Sequence, residues 1–139
     1  MNKLKDVLEK ERITLEIISM ERDALDRWGK GDVWSFTEIS ADEVTYFDTG
    51  TERRVDGLAA LRELYAPRAG KIEIKRYDML NPVVQIHGNT AVLTFNLIDY
   101  LPSVEGLTEE HWNATEVYSK IDAKWKIIHT HWSHVKSEV

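Results

Sequence analysis

The chain has 139 residues, 42% apolar and 30% charged, with no cysteine. That length suits one domain able to bury a sizeable core, and the missing thiols exclude disulfides, thiolate zinc, iron–sulfur clusters and a cysteine nucleophile. A net charge of −6 argues against nucleic acid and anionic membranes as partners, and no apolar run approaches the roughly 18 residues of a membrane span. The charged start, MNKLKDVLEKER, reads as a helix rather than a signal sequence, so a cytoplasmic protein is the expectation.

Residues 4–28 read as one long helix. Leu4, Leu8, Leu15, Ile18 and Leu25, joined by Val7, Ile17 and Trp28, recur at spacings of three, four and seven, and Gly29 and Gly31 stop the pattern. At 1.5 Å per residue such a helix runs roughly 38 Å, enough to cross a small sheet. A shorter helix is expected over 32–39, capped by Asp32. Val44 to Asp48 reads as a strand that ends in the Thr49-Gly50 turn. Asp56 is expected to cap a helix over 57–66, with Leu58, Leu61, Leu64 and Tyr65 as its apolar stripe and Pro67 as its end. The period then changes to that of strands. Segments 72–86 and 90–101 flank the turn His87-Gly88-Asn89, and segments 110–121 and 124–134 flank Asp122-Ala123. With no repeat or linker, residues 1–139 make a single α+β domain, its helices packed on one face of a curved antiparallel sheet.

This arrangement resembles the NTF2-like superfamily, also called SnoaL-like or ketosteroid-isomerase-like, a cone of helices over a bent sheet. Gly31-Asp32 after the long helix is similar to the family's helix-to-helix step. Ala41-Asp-Glu-Val-Thr-Tyr-Phe-Asp48, with Val55-Asp-Gly57 and Ala60-Leu-Arg-Glu-Leu-Tyr65, is similar to the isomerase segment that runs from the first strand into the third helix. Trp125-Lys-Ile-Ile-His-Thr-His-Trp-Ser133 is similar to the last strand of SnoaL-like proteins and of the calcium/calmodulin-dependent kinase association domain. The resemblance is specific for fold and weak for function, because this superfold hosts isomerases, dehydratases, cyclases and association modules.

By the same resemblance, Asp48 falls where the isomerases keep their proton-shuttling aspartate, and Glu116 falls at or beside their oxyanion-donor aspartate. A carboxylate shielded among aromatics is a stronger base than one in water; the competing reading has Asp48 bonding the backbone of its own turn. The face of Glu116 depends on one residue of register: a two-residue loop at 122–123 sets it across from His129, and a three-residue loop groups it with Ile128, Thr130 and Trp132. The family's helix-one tyrosine is missing, with Ala24 at its position, which puts steroid isomerisation in doubt. His129 and His131, two apart on a strand, project to one face and are further candidates for acid–base chemistry. Their spacing also fits a metal, but the resembling families carry such histidines without one, so no metal and no cofactor are expected.

Trp28, Tyr46, Tyr65, Tyr77, Tyr100, Trp112 and Trp132 are candidate ligand contacts, since their polar tips want partners that a dry core lacks. From Asp99 to Glu116 there are five carboxylates and no lysine or arginine; this run reads as a solvated loop and strand edge, or as a device that steers cations. The resulting expectation is a binder of a small apolar or aromatic molecule, acting by cofactor-independent acid–base chemistry as an isomerase, cyclase or dehydratase. The alternative is a non-catalytic ligand-binding or oligomerisation module. Both alternations of the last strands are apolar or aromatic, so a homodimer through the outer sheet face is also expected.

Overall fold

The structure, a computed structural model, describes residues 2–137. Helix α1 spans Lys3–Trp28, and the Asn2 side chain caps it by accepting from the amides of Leu4 and Lys5. Its buried face is Ile13, Ile17, Glu21, Ala24 and Leu25, whereas Leu4, Val7, Leu8 and Leu15 are exposed. The apolar spacing therefore found the helix but misplaced its contact face at the N-terminal end. Ile13 is the first residue of α1 to be buried, so the first three turns make no core contact.

Gly31 ends the helical segment at φ 93°, and a Cβ there would lie 3.1 Å from the Gly70 Cα. Only glycine permits both that angle and that approach. Asp32 does not begin the next helix. It accepts from the Trp34 amide and holds the Arg27 guanidinium, and α2 is confined to Ser35–Glu38. Strand β1 follows at Ser40–Phe47, then a two-residue β2 at Val55–Asp56 and α3 at Leu58–Tyr65. Asp56 is thus in a strand, paired with Arg54, and no side chain caps α3. Strands β3 (Arg76–His87), β4 (Thr90–Ser103), β5 (Gly106–Ile121) and β6 (Lys124–His134) complete the chain. Residues 72–75 precede β3 rather than belonging to it, with the Ile74 amide bonded to the Gly29 carbonyl and the Lys75 amide to that of Tyr100.

The six strands form one open sheet in the order β2-β1-β6-β5-β4-β3. It is mixed rather than antiparallel, because β1 runs parallel to β6. Helices α1 and α3 cover one face, and the core lies between them and Val44, Tyr46, Ala91, Leu93, Phe95, Leu97, Ala114, Tyr118, Trp125 and Ile127. The described residues place no helix on the other face.

One irregularity decides the site. The β5–β6 turn has two residues, Asp122 and Ala123, both at positive φ, as the tight hairpin turn requires. Ile121 to Tyr118 pair in simple register, but Val117 pairs with His129 rather than Ile128. Ile128 is the extra residue of a β-bulge. Beyond it, Glu116 faces Thr130 and the helices, while His129 turns to the outer face.

Candidate functional site

A cavity of about 360 Å³ opens between the C-terminal end of α1, α3 and the sheet. Leu25, Trp28, Phe36, Ile72, Ile74, Leu97 and Leu101 supply its apolar wall, and Tyr46, Tyr65, Trp112 and Trp132 its aromatic one. The rings lock edge to face: Trp28 with Tyr65 at 4.9 Å, Tyr46 with Tyr65 at 5.6 Å, and Trp112 with Trp132 at 6.0 Å between centroids. Such contacts fix ring orientation and keep an apolar void from collapsing.

Asp48 borders this cavity, with its side chain 10% exposed. Asp48 closes its own turn and also borders the cavity. One oxygen accepts from the Gly50 amide at 2.7 Å, closing the turn, and the other accepts from the Tyr46 hydroxyl at 3.0 Å with the Arg68 guanidinium 3.6 Å away. All three partners suit a carboxylate. Burial holds Tyr46 and Tyr65 well above the ordinary phenol value, with the Tyr65 hydroxyl aimed at Tyr46 and Tyr46 at Asp48, so both stay protonated donors.

Asp99 borders the same cavity and was missed by the sequence. It is 8% exposed, neither solvated nor on a loop, and pairs across β4–β5 with Glu110, which also lines the cavity. Burial first, and the Glu110 charge second, push its carboxyl up to about 7. The Trp112 indole N–H acts in the opposite sense without forming a hydrogen bond, and its nitrogen is buried and unpartnered. The available signal was strand alternation: Asp99 shares its parity with Phe95 and Leu97.

Glu116 is fully buried but does not line the cavity. It accepts from the Thr130 hydroxyl and meets Glu21 of α1, also fully buried, to which Tyr118 donates at 3.3 Å. Burial raises both glutamates, and Glu21 further because it faces Glu116. The acidic run is therefore not one solvated edge, since Asp99 and Glu116 are inside and Glu105 and Glu109 outside.

His129 and His131 lie away from the cavity, on the outer face against Phe47. His129 contacts the Thr45 hydroxyl at 2.8 Å, and burial together with His131 lowers its pKa. No group of three or more potential metal ligands occurs among the described residues. Tyr77 and Tyr100 also stand apart from the cavity: Tyr77 donates to Asp26, and Tyr100 donates to Asp78 beneath the Arg76 guanidinium. Trp28, Tyr46, Tyr65, Trp112 and Trp132 are the candidate contacts that the fold brings together.

The family model of the SnoaL-like domain matches residues 22–137. Among solved structures, a candidate ketosteroid isomerase of Parabacteroides distasonis is 44% identical, with 86% of each chain covered and a TM-score of 0.77. The association domain of Caenorhabditis elegans CaMKII is 20% identical over 90% of this chain and 98% of that one, with a TM-score of 0.77. An NTF2-like protein of unknown function from Pseudomonas putida is 17% identical over 91% and 89%, with a TM-score of 0.78. The last two likenesses show the fold alone. No curated protein matches the chain.

Proposed function

Because the chain belongs to the SnoaL-like domain family, we propose that it binds a small, largely apolar molecule in its cone and moves a proton on it without a cofactor, with Asp48 as the base. The observation that carries this reading is the meeting of Asp48 with the aromatic cavity, where Arg68 and Tyr46 hold its carboxylate at the wall. A base fixed at the edge of a water-poor cavity can take a proton from carbon beside a carbonyl, and Tyr46 can follow the charge on Asp48 through its hydrogen bond. Glu116 and the histidines are set aside as direct partners, since neither reaches the cavity. The 44% identical candidate isomerase supports the same chemical class, while Ala24 in place of the helix-one tyrosine argues against the steroid reaction itself.

The test is hydrogen–deuterium exchange beside the carbonyl of small cyclic ketones in D₂O, followed by NMR. Acceleration by the protein, reduced by roughly 10²–10⁴-fold in Asp48→Asn, supports the reading. Equal rates with and without protein leave the binding module. A second element of the proposal is self-association through the outer face of the sheet, which no helix covers among the described residues; likeness to a kinase association domain favours it. The cytoplasm is the expected compartment. No helix of the described residues is long and apolar enough to cross a membrane.

A further inference from the structure

We propose that Asp99 and Trp112 form a recognition site for the hydroxyl group of a neutral alcohol or phenol, at a wall of the cavity formed by β4 and β5. This deepens the cavity reading above and rests on it. Leu97 pairs with Trp112 and Asp99 with Glu110 across the two strands, so Asp99 and Trp112 are diagonal neighbours on the inner face. The Asp99 side chain is buried from bulk water, lines the cavity, and makes no ion pair among the described residues, and the Trp112 indole N–H is turned toward it. The Trp112 indole nitrogen is buried beside it and completes no hydrogen bond of good geometry.

Two polar groups of different character stand together, neither fully satisfied by the other. The indole N–H can only donate, and the carboxyl oxygens need a donor or, when protonated, an acceptor. A hydroxyl is the smallest group that both accepts from Trp112 and donates to Asp99. Water meets the same demands, so a ligand hydroxyl replaces it without loss, whereas a methylene leaves both groups stranded. A cation offers nothing to the indole N–H, and an anion is repelled by Glu110. The rest of the ligand then lies against Trp132 and Leu97, which border the same cavity.

The probes are 2-naphthol, naphthalene and 2-naphthylmethylammonium at pH 6, where the naphthol is neutral. Affinities come from titration of the tryptophan indole N–H resonances, the Trp112 signal being assigned by its loss in Trp112→Phe. Expected are binding of 2-naphthol at least about tenfold tighter than naphthalene, a downfield hydrogen-bond shift of the Trp112 resonance with the naphthol beyond the ring-current shift that naphthalene gives, and collapse of the preference to within about twofold in Trp112→Phe and Asp99→Leu. Naphthalene binding retained by each variant shows that it folds and keeps its cavity. Equal affinities for naphthol and naphthalene, tighter binding of the ammonium, or a preference that survives both variants overturns the proposal and leaves the apolar cavity standing. Binding of none of the three overturns the cavity reading and this one together.

Discussion

Glu21 of α1 and Glu116 of β5 bury their carboxyl groups against each other, both fully removed from solvent, with no basic side chain between them. Tyr118 and Thr130 each donate one hydrogen bond to the pair, and one oxygen of each glutamate lacks any other partner. Two carboxylates in contact in a dry interior resist ionising together, so the pair holds its last proton to higher pH than a free glutamate does.

The sign of its effect on stability follows from the direction of the shifts. Unfolded, both glutamates titrate near their ordinary 4.5; folded, both titrate higher. The stabilisation is complete below that value and is lost as pH rises through the folded values. Glu21→Gln keeps the oxygen that accepts from Tyr118, supplies N–H donors to Glu116, and removes one ionisable group. Its melting temperature relative to wild type should therefore rise between pH 4 and pH 8, by about 3–5 °C per kcal/mol recovered. A difference independent of pH would mean that the pair is not proton-linked.

How legible this was in the sequence is clearest at Ile128. The two-residue turn at 122–123 could be read from the chain, yet the pairing that such a turn implies, Glu116 with His129, does not occur. A bulge depends on how the bent sheet meets α1, and local pattern carries no record of that. The same limit explains Asp99, which sits in an acidic run but obeys strand alternation, and Leu4, Val7, Leu8 and Leu15, whose helical spacing is sound although nothing among the described residues covers them. Fold class, the hairpin turns and the aromatic wall were legible because each rests on local periodicity or turn chemistry. The faces presented by Glu116, His129 and Asp99 rest on tertiary contacts.

Asp48 performs a structural duty that can be separated from the proposed chemical one. Asp48→Asn retains an acceptor for the Gly50 amide, so its thermal stability should stay within about 2 °C of wild type. Asp48→Ala removes that acceptor and leaves Tyr46 and Arg68 without their partner. It should cost about 1–2 kcal/mol in urea melts. If both variants are equally destabilised, Arg68 rather than the turn is the contact that matters.

The outer face offers a direct test of self-association. Val117 sits there opposite His129, half-buried in the single chain. Light scattering at micromolar concentration should report more than one chain per particle, and Val117→Asp should give a monomer with an unchanged far-ultraviolet circular dichroism spectrum. A monomeric wild type would remove the outer face as an interface.

Asp99 gives the sharpest pH prediction because its surroundings are asymmetric. Glu110 faces it across the sheet, Trp112 lies on the diagonal, and no cation is paired with it among the described residues. With a folded value of about 7 against 3.8 unfolded, Asp99 is protonated in the fold where the unfolded chain has already released the proton. Its contribution to stability is thus whole below pH 4 and declines up to about pH 7. Three units correspond to a ceiling of about 4 kcal/mol, and solvent entering the cavity reduces this to about 1–3. Asp99→Asn keeps the shape and stays neutral, so urea melts should find it equal to or weaker than wild type at pH 4 and more stable at pH 7.5. Glu110→Gln should lower the pH at which that decline ends, since one of the two causes of the raised value is gone while desolvation remains; its onset near pH 4, set by the unfolded chain, stays where it is. An Asp99→Asn difference that stays flat from pH 4 to 7.5 would show that the Asp99 carboxyl is ionised in the fold, and with it that the indole N–H of Trp112 or solvent in the cavity outweighs burial.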